Sequence, residues 1–496
     1  MRIPSATGGS YESQSGLADG ERTVNLIPEV IEAPDGSAKL VLYDAPGLTS
    51  YCTTATNGLV TLPIEQPPKA MYAIASATIA QANHGFLVGG PNLYDLPTTA
   101  GGTAFLSNTT LMAVNGSPAT MQSNGDGGVQ LYITNGGTGY IYNYGGGSWD
   151  GAQGPSDVIM GGYLNTRFLA LDTAATLYLS DPLDGTTWDP LQSIQRATFA
   201  DPWIALIVVH QQVLLLGSMT SDWYQDVGAA PFPLAIIAGA TMQVGILAPF
   251  SVAQMGGAPV WLGRSKEGAG IVYTAQGLTP VRISTFPVEY AIQHYTTTTD
   301  AIGWTYEQDG HPFYVLEFPT ERKTWVFDAG SGLWSERGYL NPATGYYTSY
   351  RPRFHVFANG QHLTADRQTG AVFSMSTQTY TDVDGTGIRR LRRTPPLSDE
   401  QFRIFFGAMQ VFCDVGVGLT TGQGSDPLLM TFFSSDGGKT YGNERQIGLG
   451  AIGEYQTRAL LYRLGSGRTR VMETACSDPV PFRMVEVYQK AQRGIS

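Results

Sequence analysis

Short apolar or alternating runs, each cut off by a glycine-rich turn, recur along almost the whole chain. They begin at Met71–Ala75, Gly85–Val88, Thr110–Val114, Gln130–Thr134, Gly139–Tyr142, Thr166–Leu171, Thr176–Ser180, Trp203–Val209 and Gln212–Leu216. They continue at Ala258–Leu262, Gly270–Thr274, Ala301–Tyr306, Pro312–Glu317, Thr324–Asp328, Arg353–Phe357 and Ala371–Met375. Asn115-Gly116, Asp126-Gly127, Gly136-Gly137, Asp309-Gly310 and Asn359-Gly360 punctuate them. Such pairs supply the positive φ of tight hairpins, and period-2 alternation places one strand face on a core. The pattern predicts strands throughout; a helix fits best at Val288–Tyr295.

Three stretches resemble one another: "YIYNYGGGSWDG", "LYLSDPLDGTTWDP" and "WVFDAGSGLWSERG". Each gives a strand, a Gly/Asp turn and then Trp149, Trp188 or Trp334. Strand–turn–Trp units repeating every 40–50 residues or so are the mark of propeller blades, which bury their faces only by stacking. The tryptophans are expected in the gaps between blades, and the length of the repeat region predicts six or seven blades. A run of sandwiches or a solenoid is the alternative. Before the repeats, residues 1–20 read as an arm. Strands follow at Thr23–Ile27 and Ala38–Tyr43, joined by a Pro34-Asp35-Gly36 turn, and a short one at Gly58–Leu62. After them, Pro395-Pro396 reads as a stiff linker. Phe402–Asp414 and Leu428–Ser434 then alternate as in a β-sandwich. The expected division is 1–65, 66–385 (propeller) and 386–496 (sandwich-like).

The surface chemistry narrows this picture. Only 14% of the 496 residues are Asp, Glu, Lys or Arg, while 61 are glycine. That is about half the usual charge content, in a chain too aromatic to be disordered. The net charge is −12, but the segment from Ile388 onward holds 14 Lys+Arg against 10 Asp+Glu, a net +4 that leaves −16 on the rest. An acidic body disfavours non-specific DNA binding; on charge alone it reads first as a soluble acidic protein, and alternatively as a wall that DNA slides past. Cys52, Cys413 and Cys476 are too few and too distant for a disulfide framework or zinc site. "MRIPSATGGSY" has no apolar core, so no secretory signal is expected. The uncharged run Ala229–Phe250 is broken by Pro231, Pro233, Gly239, Gly245 and Pro249. It is expected to be buried strand and loop rather than a spanning helix; a membrane-touching loop is the alternative.

Several motifs invite chemistry. Ser434-Ser435-Asp436-Gly437-Gly438-Lys439-Thr440-Tyr441 fits an Asp box, with Ser434, Asp436, Gly438, Thr440 and Tyr441 at its fixed positions. Gly438-Lys439-Thr440 is no phosphate loop, because Phe433 stands where that motif needs glycine. Asp382-x-Asp384-Gly385 is no EF-hand, because its twelfth position is Arg393. The six histidines predict no metal site; His355 and His362 would lie on opposite faces of a single strand. No Gly-x-Ser-x-Gly elbow is present. A sialidase-like hydrolase or glycan-binding propeller would also carry Asp boxes, but no arginine triad is evident within the repeats. No catalytic residue, metal ligand or cofactor is therefore predicted. Arg389, Arg390, Arg392 and Arg393 form a basic cluster, read as a solvated loop or a protein–protein salt-bridge site at a subunit interface ahead of a DNA patch. Arg468 and Arg470 precede a strand at Val471–Ala475 and are expected to anchor carboxylates or a neighbouring subunit.

Both ends and the middle resemble one family, the tail-hub or nozzle (packaged-DNA stabilisation) proteins of short-tailed bacteriophages. The matching residues are Arg22-x-x-Asn25-Leu26-x-Pro28-Glu29 and Leu42-Tyr43-x-x-Pro46-Gly47-Leu48. In the middle they are Trp261-Leu262-Gly263-Arg264, Val272-Tyr273 and Pro280-x-Arg282-Ile283-Ser284. At the end they are Ser434–Tyr441, Leu464-Gly465-x-x-Arg468-x-Arg470 and Ser477-Asp478-Pro479-Val480. The resemblance implies a non-enzymatic virion protein: a propeller joined to a smaller β domain built from both chain ends. It implies about six copies in a ring beneath the portal and adaptor, assembled in the host cytoplasm without a membrane span. That ring would retain packaged DNA, hold tailspikes or fibres, and open for ejection, with double-stranded DNA passing unread.

Overall fold

The computed structural model describes residues 3, 6–32, 38–75, 84–196 and 199–494. It is nearly all strand. The one α-helix among the described residues, Phe286–Gln293, starts two residues before the segment chosen from sequence, because Pro287 fits a helix's first turn. The Pro34-Asp35-Gly36 turn lies outside the described residues.

Seven blades surround one axis. The first uses Pro68–Ala73, Gly85–Gly89, Asn92–Asp95 and Ala104–Leu106. The second and third share the 17-residue strand Ser148–Leu164. Its first half pairs with Gly137–Asn143 and its second half with Arg167–Asp172. The fourth spans Trp203–Val209 to Leu234–Ile236. In the fifth, the inner strand is split into Gly245–Ile246 and Ala253–Met255, both paired with Ala258–Arg264. The sixth runs from Ile302–Gln308 to Leu333–Glu336. The seventh takes three strands from 352–376, and its fourth, Gly47–Cys52, comes from near the N-terminus, antiparallel to Val372–Ser376. The innermost strands touch in order and the seventh meets the first, so the ring is closed. Closure packs each blade face against its neighbours and leaves only the short outer strands as edges.

The core confirms the packing logic. Trp334 is buried and donates its indole N–H to the Ile283 carbonyl of the preceding blade at 2.9 Å. Trp188 packs on Tyr132 of the second blade, with ring centroids 5.5 Å apart. Trp149 departs from expectation: it is half-exposed, stacked on Tyr140 of its own blade. Thr110–Val114 is not a strand. Leu111 and Val114 face solvent while Met112 alone is buried, in a loop held by Ala113 N–H on the Tyr140 hydroxyl. The run Ala229–Phe250 wraps the fourth and fifth blades, burying Leu234, Ala240, Met242, Ile246 and Ala248. Among the described residues no helix is long and apolar enough to cross a membrane.

The expected strand Thr23–Ile27 is two strands in different sheets. Gly20–Val24 pairs parallel with the outer strand of the sixth blade and antiparallel with Arg390–Arg393. That sheet continues through Thr469–Cys476 and Leu428–Ser434 to Arg445–Gly448. Leu26–Glu32 belongs instead to the facing sheet, with Ala38–Asp44, Met484–Arg493, Ile404–Cys413 and Ala459–Tyr462. Between these two sheets lies a core of Leu26, Leu42, Phe406, Met409, Val411, Leu429, Met472, Phe482 and Val487. One sheet of the sandwich is thus an extension of a propeller blade.

Candidate functional site

The residues that join propeller to sandwich converge at Asn25, where the chain leaves one sheet for the other. Its φ is +56°, a left-handed conformation that asparagine tolerates better than most residues. The side chain is buried and ties three distant segments. Nδ2 donates to the carbonyls of Gly338 at 2.8 Å and Arg389 at 2.9 Å, and Oδ1 accepts the Gly338 N–H at 3.0 Å. Three residues earlier, Arg22 makes a bidentate pair with Glu336 at the outer edge of the sixth blade, at 2.7 and 2.8 Å. Burial pushes the Glu336 carboxyl up, but the Arg22 charge outweighs it and holds the group below the ordinary carboxylate range. Planar two-point pairing of this kind fixes geometry as well as charge.

The basic cluster is turned inward. Arg390 and Arg392 are fully buried. Arg390 reaches Asp44 at 2.8 Å and the Val480 carbonyl at 2.6 Å, and also donates to the Asp478 carbonyl. Asp44 accepts a second bond from Phe482 N–H at 2.8 Å. Arg392 gathers the N-terminal arm, donating to the carbonyls of Ala6 and Gly9, to Thr23 Oγ1 and to Glu21. These two residues are therefore not available to a neighbouring subunit or to DNA. Within an alternating strand, Arg390 and Arg392 share the inward face, where two chain ends bring carboxylates and carbonyls to meet them. Arg393 pairs with Glu473 at 3.0 Å and lies over the Tyr441 ring; Arg389 reaches Met430 and Ser477. Arg470 is likewise buried, stacked on Phe406 and donating to the Leu464 carbonyl, so it anchors a backbone carbonyl of its own chain rather than the expected carboxylate or neighbouring subunit. Arg468 alone of the six is exposed, and it donates to the Gln401 carbonyl.

The Asp box sits in the loop between Leu428–Ser434 and Arg445–Gly448. Asp436 accepts the N–H groups of Lys439 and Thr440 at 2.9 and 3.0 Å and the Thr440 hydroxyl at 2.5 Å. Ser434 Oγ accepts Gly438 N–H at 2.9 Å. Hydrogen bonds from Ser434 and Thr440 hold the Asp436 carboxyl well below its ordinary pKa. Its oxygens are occupied within the turn, which makes it a brace. The Gly437 Cα lies so close to Leu17 that a Cβ there would come within 2.7 Å of its side chain, so the arm rests on this turn. The partial copy at Asp184 works alike, taking Thr186 N–H at 2.9 Å and the Thr186 and Thr187 hydroxyls.

Sequence spacing missed two constellations. Arg351, Arg353 and Arg367 do meet, but they close on buried acids. Arg353 holds Glu317 through bonds of 2.7 and 2.9 Å, Arg367 joins it at 2.6 Å, and Arg351 grips Asp366. The cluster rivets the sixth blade to the seventh. His355 and His362 lie on adjacent strands, not on one, with Nε2 and Nδ1 3.0 Å apart. Among the described residues, no group of three or more His, Cys, Asp or Glu is placed to hold a metal ion. The propeller axis holds a cavity of about 340 Å³, lined by residues such as Thr120, Gly161, Ile207, Gln254, Gly303 and Phe354, none of them charged.

Fold and junction together define a propeller–sandwich scaffold whose two bodies share a sheet. Residues 1–380 match the family described as bacteriophage P22 Gp10, β-propeller, and residues 389–490 match bacteriophage P22 Gp10, β-sandwich; the chain belongs to that family. It is thus a tail-associated structural component of a bacteriophage virion. Among solved structures, BamB from Moraxella catarrhalis is similar at a TM-score of 0.38 and 10% identity, over 72% of this chain and 97% of that one. YCF48 bound to D1 peptide is similar at 0.36 and 13%, over 69% and 96%. No curated protein matches the chain.

Proposed function

We propose that copies of this chain, six by the resemblance noted above, form the ring-shaped hub or nozzle of a short tail. The ring closes the portal–adaptor channel after packaging, carries tailspikes or fibres, and opens for genome ejection. The observation that supports this best is the composite sheet running from the sixth blade through Gly20–Val24 into the sandwich. It makes each copy one stiff building block, as a plug under the pressure of packaged DNA requires. The −16 net charge of the residues before Ile388 supports a wall that repels duplex DNA rather than gripping it. The cavity on the propeller axis is only about 340 Å³ and its lining is uncharged, too small to pass a duplex, so in this reading DNA passes between copies and not through a propeller. Assembly takes place in the host cytoplasm, and head-to-tail contact between unlike surfaces closes the ring.

The test is genetic and physical. Particles made without this chain should package DNA and then lose it, and purified protein added back should restore retention. Particles that keep their DNA without it would contradict the reading.

A further inference from the structure

We propose that the outer face of the C-terminal sandwich sheet is a docking surface for the acidic propeller of a second copy of this chain; the inference rests on the ring reading above. Ile404–Cys413 lies between Met484–Arg493 and Ala459–Tyr462. Alternation sends Met409, Val411, Val487 and Leu461 into the core. The register places Gln410 opposite both Tyr488 and Leu460, Ala408 opposite both Lys490 and Tyr462, and Phe412 opposite Glu486, all on the outer face. Four large aromatics of these strands remain open to solvent: Phe405 at 52%, Phe412 at 48%, Tyr462 at 59% and Tyr488 at 44%. Single exposed apolar residues need no explanation, but an aromatic group sharing one sheet face does. Tyr-rich centres with a polar rim are the usual make-up of protein interfaces.

Charge identifies the occupant. The three strands and their immediate flanks, 403–413, 458–463 and 484–493, carry Arg403, Arg458, Arg463, Lys490 and Arg493 against a single carboxylate, Glu486. All five cations are exposed. Arg458 bonds Gln410, and Arg493 pairs with Glu400 at 2.9 Å. The complement to this cationic rim is on the same chain, in the propeller region 47–387, which holds 12 Lys+Arg against 24 Asp+Glu, a net −12, with Asp150, Asp157 and Asp189 exposed on its second and third blades. A basic face on one end and an acidic body on the other is the arrangement a heterologous ring needs, since each copy offers two unlike surfaces. Duplex DNA fits less well, because binding here would bring it against that same acidic body.

The full-length protein tests this, with two variants: Phe412→Asp with Tyr488→Asp, and Arg458→Glu with Lys490→Glu. Each is read by mass photometry at low and high salt, with circular dichroism to verify folding. The proposal expects wild type to form rings that weaken with salt, and both folded variants to run at the 53.2 kDa monomer mass. Folded variants that still form rings would overturn it while leaving the ring reading intact. A wild type that stays monomeric, alone and with its adaptor, would sink the ring reading itself. Variants that keep the ring but lose a duplex-DNA gel shift seen with wild type would overturn the proposal in favour of a nucleic-acid surface.

Discussion

Replacing Asn25 separates the geometry of the sheet switch from its hydrogen bonds. Asn25→Ala removes three side-chain hydrogen bonds, to Gly338 and Arg389. At a typical net of about 1 kcal/mol each, that costs about 3 kcal/mol. Alanine at φ +56° adds about 1 kcal/mol of backbone strain, for a total near 4 kcal/mol. Asn25→Gly keeps the bond loss but releases the strain, so it should fall short of the alanine variant by about 1 kcal/mol. The damage should be local to the joint. Calorimetry should show a single wild-type transition resolving into two as propeller and sandwich melt apart, with new proteolytic cuts near residues 377–389. An alanine variant that unfolds as one transition at the wild-type temperature would refute the idea that Asn25 couples the two bodies.

Other consequences follow from the same structure. Arg390→Met strands the Asp44 carboxylate and should cost about 3–5 kcal/mol, while adding Asp44→Leu should recover most of it, as denaturant midpoints in a double-mutant cycle would show. Gly47→Ala puts a Cβ 2.2 Å from the Thr379 carbonyl at the strand that closes the seventh blade, and should destabilise by about 1–3 kcal/mol or more, measured by thermal melting. Burial, with His362 alongside, pushes the His355 imidazole down to about 3. Its unfolded form takes a proton near pH 6.5, so the unfolded state binds more protons between those values and stability falls as pH drops through that window. The loss reaches up to about 4 kcal/mol near pH 3 by linkage, and His355→Phe should flatten that slope in pH-dependent melts.

The strands were legible because their turns are: Asp309-Gly310 and Asn359-Gly360 both show positive φ at the tips of tight hairpins. Their grouping was less so. Nothing local marks Gly47–Cys52 as the fourth strand of a blade whose other strands lie 300 residues on, since that pairing is a closure property of the whole ring. Asn25 was visible as part of a motif, but its role needed the left-handed backbone to be seen. The arginines of 389–393 read as a surface cluster because charge runs usually are. Two of them are buried, because carboxylates and carbonyls from both chain ends converge on one strand face. His355 and His362 were spaced as though on one strand, and the Asn359-Gly360 turn between them brings them together instead. Thr110–Val114 failed for the opposite reason: its apolar residues are real, but only Met112 finds a core.

Electron cryomicroscopy of the intact tail gives the sharpest test: the proposed ring should appear as copies of this chain closed around the channel, each a propeller and sandwich joined rigidly through the Gly20–Val24 strand. Copies whose sandwich is detached from the sixth blade, or that stand singly on the tail without enclosing the channel, would contradict it.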